Sequence, residues 1–163
     1  MEPLITVIIE TPKASAQKFA YDPNMGLFKL KKLLPLGMVF PYDFGFIPGT
    51  KGEDGDPLDV VVLSEFKSFP GCAMECRLIG AIKATQIKDK KRIRNDRYIA
   101  IPEASKQYSE IKMLKDLPGN TMHELELFFI NYTALDHKDF KPLALLNKRE
   151  AFALISDSLQ ENK

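Results

Sequence analysis

The chain has 163 residues, is 45% hydrophobic with 11 Phe, and sets 23 basic against 22 acidic residues for a formal charge of +1. One domain with a substantial core, residues 1–163, is the expectation at this length. The charge balance excludes a global pull toward nucleic acid or membrane, and no apolar run approaches the roughly 20 residues that span a bilayer.

Met1-Glu2-Pro3 lacks the basic-then-apolar start of a signal peptide, so a cytoplasmic location is the default expectation. Leu4–Glu10 is β-branched and stops at Pro12, a strand signal. Leu27–Leu34 mixes apolar and Lys positions after the Asn24-Met25-Gly26 turn and reads as a second strand. Pro41 to Gly52 is Pro/Gly-rich and reads as a loop. Leu58–Leu63 is a short buried strand. Cys72–Thr85 is long enough for a bent strand, with Gly80 as the bulge or bend. Tyr98–Ile101 follows and stops at Pro102. These strands lack regular βα alternation, so a small closed or half-closed antiparallel barrel is expected.

Two helices come last. Thr121-Met122-His123-Glu124 reads as a capping box behind the Pro118-Gly119-Asn120 breaker. Leu125, Phe128, Phe129 and Tyr132 then fall on one helical face. Asn147-Lys148-Arg149-Glu150 opens the second helix, with Phe152, Ile155 and Leu159 on one face and a frayed tail from Gln160. Cys72 and Cys76, four apart on a strand, would lie roughly 13 Å apart, too far for a disulfide. They read as reduced thiols. His123 and His137 read as structural or exposed rather than as ligands.

Asp54-Gly55-Asp56-Pro57-Leu58-Asp59 carries the chemistry. Three carboxylates in six residues repel one another unless a cation lies between them. An EF-hand fails on position, because Leu58 and Asp59 occupy its fifth and sixth places. An all-oxygen donor set favours Mg²⁺ or Mn²⁺ over Zn²⁺. The spacing alone equally allows a solvated Asp-rich turn.

The motif D-G-D-P-x-D followed by Val60-Val61-Val62-Leu63 resembles the signature of the family I soluble inorganic pyrophosphatases. Ile8-Ile9-Glu10-Thr11-Pro12, Lys18-Phe19, Phe40 to Thr50, Gly80-Ala81-Ile82-Lys83, Ala100-Ile101-Pro102 and Phe128 to Tyr132 resemble further family segments, in the expected order. The resemblance implies a mainly β fold, an OB-like five-stranded antiparallel barrel with C-terminal helices. It also implies Mg²⁺-dependent hydrolysis of inorganic pyrophosphate, in the cytoplasm, by a homo-oligomer. By the same resemblance Asp54 and Asp59 are principal metal ligands, and Asp56 takes a proton from the attacking water. Asp96 is a further metal ligand, with Asn95 competing for that register, and Glu10 is an outer carboxylate of the metal cluster. Lys18, Lys32 and Arg97 contact phosphate, and Tyr132 hydrogen-bonds a product phosphate.

Several positions depart from the family pattern. Ala20 replaces a Glu, Lys32 an Arg, Phe40 and Phe44 two tyrosines, Gln86 a metal-binding Asp and Thr133 a Lys. Lys32 keeps the charge but loses the bidentate fork. The first metal pair is expected to persist and the later sites to be weakened. A non-catalytic protein that binds phosphate-containing ligands is the alternative reading. Without the family register, Glu10 and Lys18 read as surface charges, Tyr132 as core with a polar tip, and Lys88–Arg94 as a solvated hairpin loop.

Overall fold

The computed structural model describes residues 2–160. Nine strands, β1 (Leu4–Thr11), β2 (Gln17–Asp22), β3 (Leu27–Leu33), β4 (Asp43–Ile47), β5 (Leu58–Val62), β6 (Ala73–Lys88), β7 (Lys91–Arg94), β8 (Arg97–Pro102) and β9 (Asp139–Asn147), frame two helices, α1 (Thr121–Ala134) and α2 (Lys148–Asp157). The order β1-β4-β5-β8-β6 closes through a β1–β6 pairing into a ring of five strands. Strands β7 and β9 pair with the far half of the long β6, and β2 pairs only with β3.

The barrel matches the expected class with two corrections. One ring pairing, β5 with β8, is parallel; the other four are antiparallel. The fifth ring strand is β4, inside the expected loop, whereas Leu27–Leu33 belongs to a separate hairpin. Every residue of β4 is buried, so tertiary packing overrides its Pro/Gly flanks.

Alternation sorts the side chains into two cores. All five ring strands send residues to one of them, among them Val7, Ile47, Val60, Leu78 and Tyr98, with Ala151 and Ile155 of α2 closing it. That core fills the barrel. The other core, with Phe44, Val61, Ile82, Ile99 and Ile101, lies on the outer face under Leu125 and Phe129 of α1 and Phe140 of β9.

Gly80 forms the expected bulge: the β6–β8 register shifts between Leu78 and Gly80, where φ is 155°. Gly45 has a different reason to be glycine. A Cβ there would lie 2.1 Å from the Ile8 carbonyl oxygen on neighbouring β1. Gly45→Ala is expected to lower stability by about 3 kcal/mol, the upper end of overpacking effects, read as a fall in the urea midpoint. An unchanged midpoint would mean that β1 and β4 separate freely.

The α1 start differs from expectation. Thr121 is the first helical residue and Asn120 the cap, with no side-chain capping bond, so the predicted box does not form. Its apolar face does form: Leu125 and Phe129 are buried, and Phe128 and Tyr132 pack against the same core. At α2 the box is complete, with Asn147 Oδ1 accepting from Glu150 N at 2.9 Å and Asn147 N donating to Glu150 Oε2 at 2.9 Å. This helix ends at Asp157, before Leu159, which bridges to Thr50. Gln160 is tied by its backbone amide to Gly49 O at 2.8 Å, and 161–163 lie outside the described residues.

The basic run Lys88–Arg94 is a tight hairpin, with positive φ at Asp89 and Lys90 and strand β7 pairing back on β6. Both cysteines are free, and burial pushes the Cys76 thiol up to about 12. His123 and His137 are exposed. Among the described residues, no helix is long and apolar enough to cross a membrane.

Candidate active site on the outer face of the barrel

The parallel β5–β8 pair sets the centre of the site. Asp59 and Arg97 are register partners, so their side chains emerge side by side on the outer face, below the α1 aromatics. Arg97, 4% exposed, forms an ion pair with Asp59 through Nη1, which also donates to Asn95 Oδ1 at 3.2 Å. Its guanidinium lies 4.8 Å from the Phe129 ring centre, 5.4 Å from Phe140 and 5.8 Å from Phe44. Burial pulls Arg97 down to about 10, which leaves it charged at neutral pH. Its Nε is buried and has no hydrogen-bond partner among the described residues.

Asn95, not Asp96, touches Arg97. The Asn95 amide is held by Nδ2 donating to Gln86 Oε1 at 3.0 Å. Asp96 accepts from Arg94 Nη2 at 2.7 Å, from Arg94 Nε at 3.0 Å and from the Ala84 amide at 2.9 Å.

Two lysines flank this centre. Lys18 and Lys32 are register partners on the β2–β3 hairpin, an arrangement of like charges that is ordinarily unfavourable. Aromatic faces support both. The Lys18 ammonium sits 4.4 Å from the Phe44 centroid and 5.6 Å from Phe40, and the Lys32 ammonium 4.3 Å from Tyr132. Lys32 also pairs with Asp136 at 2.7 Å. Lys18 is only 7% exposed and has no ion pair among the described residues. Burial pulls it down to about 8, with Glu10 opposing and Arg97 and Lys32 reinforcing the shift. Tyr132 stacks on Phe128 at 5.6 Å and meets Phe40 edge-on at 5.2 Å. Burial pushes its phenol up, so it stays a donor. Phe40 and Phe44, found where tyrosines were expected, are buried and need no hydroxyl partner.

The Asp loop borders a cleft of about 180 Å³ lined by Asp54, Asp59, Asn95, Asp96 and Lys51. Asp54 Oδ1 accepts from the Asp56 amide at 3.0 Å, closing the turn. Asp54 is exposed on the loop, and partial desolvation, with the Asp56 carboxylate nearby, raises its carboxyl above the usual range against the Asp56 amide hydrogen bond. Asp56 is exposed and its carboxylate has no hydrogen-bond partner among the described residues. Glu10 lies at the hairpin edge, where Oε2 accepts from the Tyr21 amide at 2.8 Å.

This arrangement brings the cations together but does not build a cage for a resident metal. Arg97 neutralises Asp59, Arg94 and the Ala84 amide saturate Asp96, and Gln86 supplies only a neutral oxygen. Among the described residues, no group of three metal-ligating side chains converges. Sequence reasoning missed Phe129 and Phe140 as the platform for Arg97, and Asp136 as the partner of Lys32. The aromatic pair Phe128-Phe129 in a helix otherwise rich in polar residues was the available signal for the first.

A family profile described as inorganic pyrophosphatase matches residues 7–163. The inorganic pyrophosphatase of Synechocystis is 32% identical over 160 residues, covering 98% of this chain and 92% of the relative. That of Sulfolobus acidocaldarius is 36% identical over 135 residues, 82% of this chain and 76% of the relative. The crystal structure of inorganic pyrophosphatase from Thermus thermophilus superposes with a TM-score of 0.87 at 31% identity, covering 95% of this chain and 88% of that one. With the profile, the relatives and the barrel agreeing over nearly its whole length, the chain belongs to the inorganic pyrophosphatase family.

Proposed function

We propose that the protein hydrolyses inorganic pyrophosphate to two phosphates, with Mg²⁺ entering as the magnesium complex of the substrate. The carrying observation is the cluster of Lys18, Lys32 and Arg97 on aromatic rings, with the buried Arg97 Nε lacking an acceptor. Lys32 and Arg97 each have a carboxylate partner, Asp136 and Asp59, but Lys18 is buried beside them with no ion pair among the described residues, which is unfavourable unless an anion joins the cluster. Pyrophosphate is such an anion, and water attacks its phosphorus readily only after its charge is neutralised.

Each residue then has one task. Arg97, Lys18 and Lys32 bind and neutralise phosphate oxygens. The Tyr132 hydroxyl donates to a phosphate oxygen. Asp56 accepts the proton of the attacking water as one bridging P–O bond breaks, leaving two phosphates. Asp54 shapes the turn that presents Asp56. Glu10 holds the β2 backbone at Tyr21, which carries Lys18 three strand positions earlier on the same element.

The test is phosphate release from pyrophosphate by the purified protein in Mg²⁺ and in Mn²⁺. Release of two phosphates per pyrophosphate supports the reading; no release above background in either metal sinks it. The second reading, binding without turnover, is favoured by the losses at Ala20, Gln86 and Thr133. Thr133 is turned inward, its hydroxyl donating to Phe129 O at 2.8 Å, and offers nothing to a phosphate. Calorimetric pyrophosphate binding with no phosphate released would select that reading. The proposal includes a cytoplasmic homo-oligomer. Exposed Leu30, Leu33, Leu36, Phe66 and Phe69 are apolar surface that a second copy would cover.

A further inference from the structure

We propose that Arg97 takes the place of a resident divalent cation at Asp59, so that the free protein holds this position with a guanidinium and meets metal only on its anionic substrate. The inference deepens the proposed function by fixing where the metal enters. It rests on that reading for the substrate, but its metal-binding half belongs to the free protein.

Geometry makes the substitution hard to reverse. Asp59 and Arg97 are paired by the β5–β8 register, so the guanidinium is delivered to the carboxylate by the backbone rather than by a flexible loop. Three rings, Phe129, Phe140 and Phe44, enclose the guanidinium on its other sides. A metal at Asp59 would have to expel Arg97 into that aromatic shell as an unpaired buried charge.

The neighbours suit a monovalent cation. Asn95 and Gln86 contribute neutral amide oxygens, one to Arg97 and one to the Asn95 amide. Gln86 occupies the position where the family resemblance expects a metal-binding Asp. Asp96, the remaining carboxylate on this edge, is used by Arg94. One unit of negative charge on Asp59 therefore meets one unit of positive charge. Among the described residues only Nη1 of Arg97 makes hydrogen bonds, so the guanidinium keeps donors for an incoming phosphate oxygen, and one side chain both fills the cation position and recruits the anion.

Mn²⁺ binding to the free protein, followed by loss of the free-ion paramagnetic resonance signal, tests this. The wild type and Asp59→Asn are expected to bind Mn²⁺ equally weakly. Arg97→Met is expected to gain a site at least about tenfold tighter, the scale of removing a unit charge at contact near a protein surface. Adding Asp59→Asn to Arg97→Met should abolish that gain. A wild-type Mn²⁺ site that Asp59→Asn removes would overturn the inference, and this comparison decides the matter even if Arg97→Met fails to fold. A folded Arg97→Met with no gain would overturn it too. Turnover is not read here, so a failed titration and a failed phosphate-release assay are separate outcomes.

Discussion

Asp56→Asn is expected to lower phosphate release by about 10²–10⁴-fold, the usual contribution of a positioned general base, with pyrophosphate binding and the fold retained. The five site carboxylates differ in what they already do. Asp59 and Asp96 are neutralised by arginines, Asp54 closes a turn and Glu10 accepts a backbone amide. Asp56 alone among them keeps both oxygens free, and it is exposed on a loop bent by Gly55 at φ 87°. A base for water needs those properties, a free carboxylate held by its backbone rather than by its side chain. The substitution is clean because the turn uses the Asp56 amide, not its carboxylate, to reach Asp54. Calorimetry of pyrophosphate binding and single-turnover phosphate release separate affinity from chemistry. Loss of binding with an unchanged rate constant would move Asp56 from the chemistry to the binding of the substrate.

Much of the barrel was legible because its strands carry β-branched alternation bounded by prolines, as in β1, β5 and β8. Strand β4 was not, since Pro41, Gly45 and Pro48 give it the composition of a loop. Only the close approach of β1 at Gly45 explains why glycine belongs in that strand. Strand β9 was hidden by Pro142 and by a mostly exposed run, and exists because the far half of β6 needs a partner. At the site, the residue types were readable but their pairing was not. The Asp59–Arg97 contact joins residues 38 apart and depends on a parallel register that no local pattern encodes. The same register directs Arg97 outward, where Asn95 accepts from it, while Asp96 pairs with Arg94.

Lys18→Met is expected to raise stability and weaken pyrophosphate binding together. Lys18 is buried without an ion pair, and its ammonium stands at about 8 against an ordinary 10.5. That gap corresponds to on the order of 3 kcal/mol by which the folded state disfavours the charged form. The Phe44 and Phe40 faces offset part of the burial, and a methionine keeps the packing and contacts the same rings through sulfur. A net gain of about 1–3 kcal/mol, several degrees in Tm, is therefore expected near neutral pH. The sign of the pH dependence follows. Below about pH 8 Lys18 is charged in both states, so the full penalty applies. Between about 8 and 10.5 the unfolded chain holds a proton that the folded chain has released, so wild-type stability climbs with pH. In Lys18→Met that climb should be missing, and the two stability curves should converge toward pH 10.5. Function should move the other way, because an anion seated on Lys18 must restore its charge. Pyrophosphate binding by the wild type at pH 8–9 should take up a proton, visible as a dependence of the calorimetric heat on buffer ionisation, and Lys18→Met should bind more weakly without it. A variant that is less stable than wild type would show that Lys18 is a structural cation with a partner of its own. Unchanged affinity and proton uptake would place the anion elsewhere in the cluster, on Lys32 and Arg97 alone.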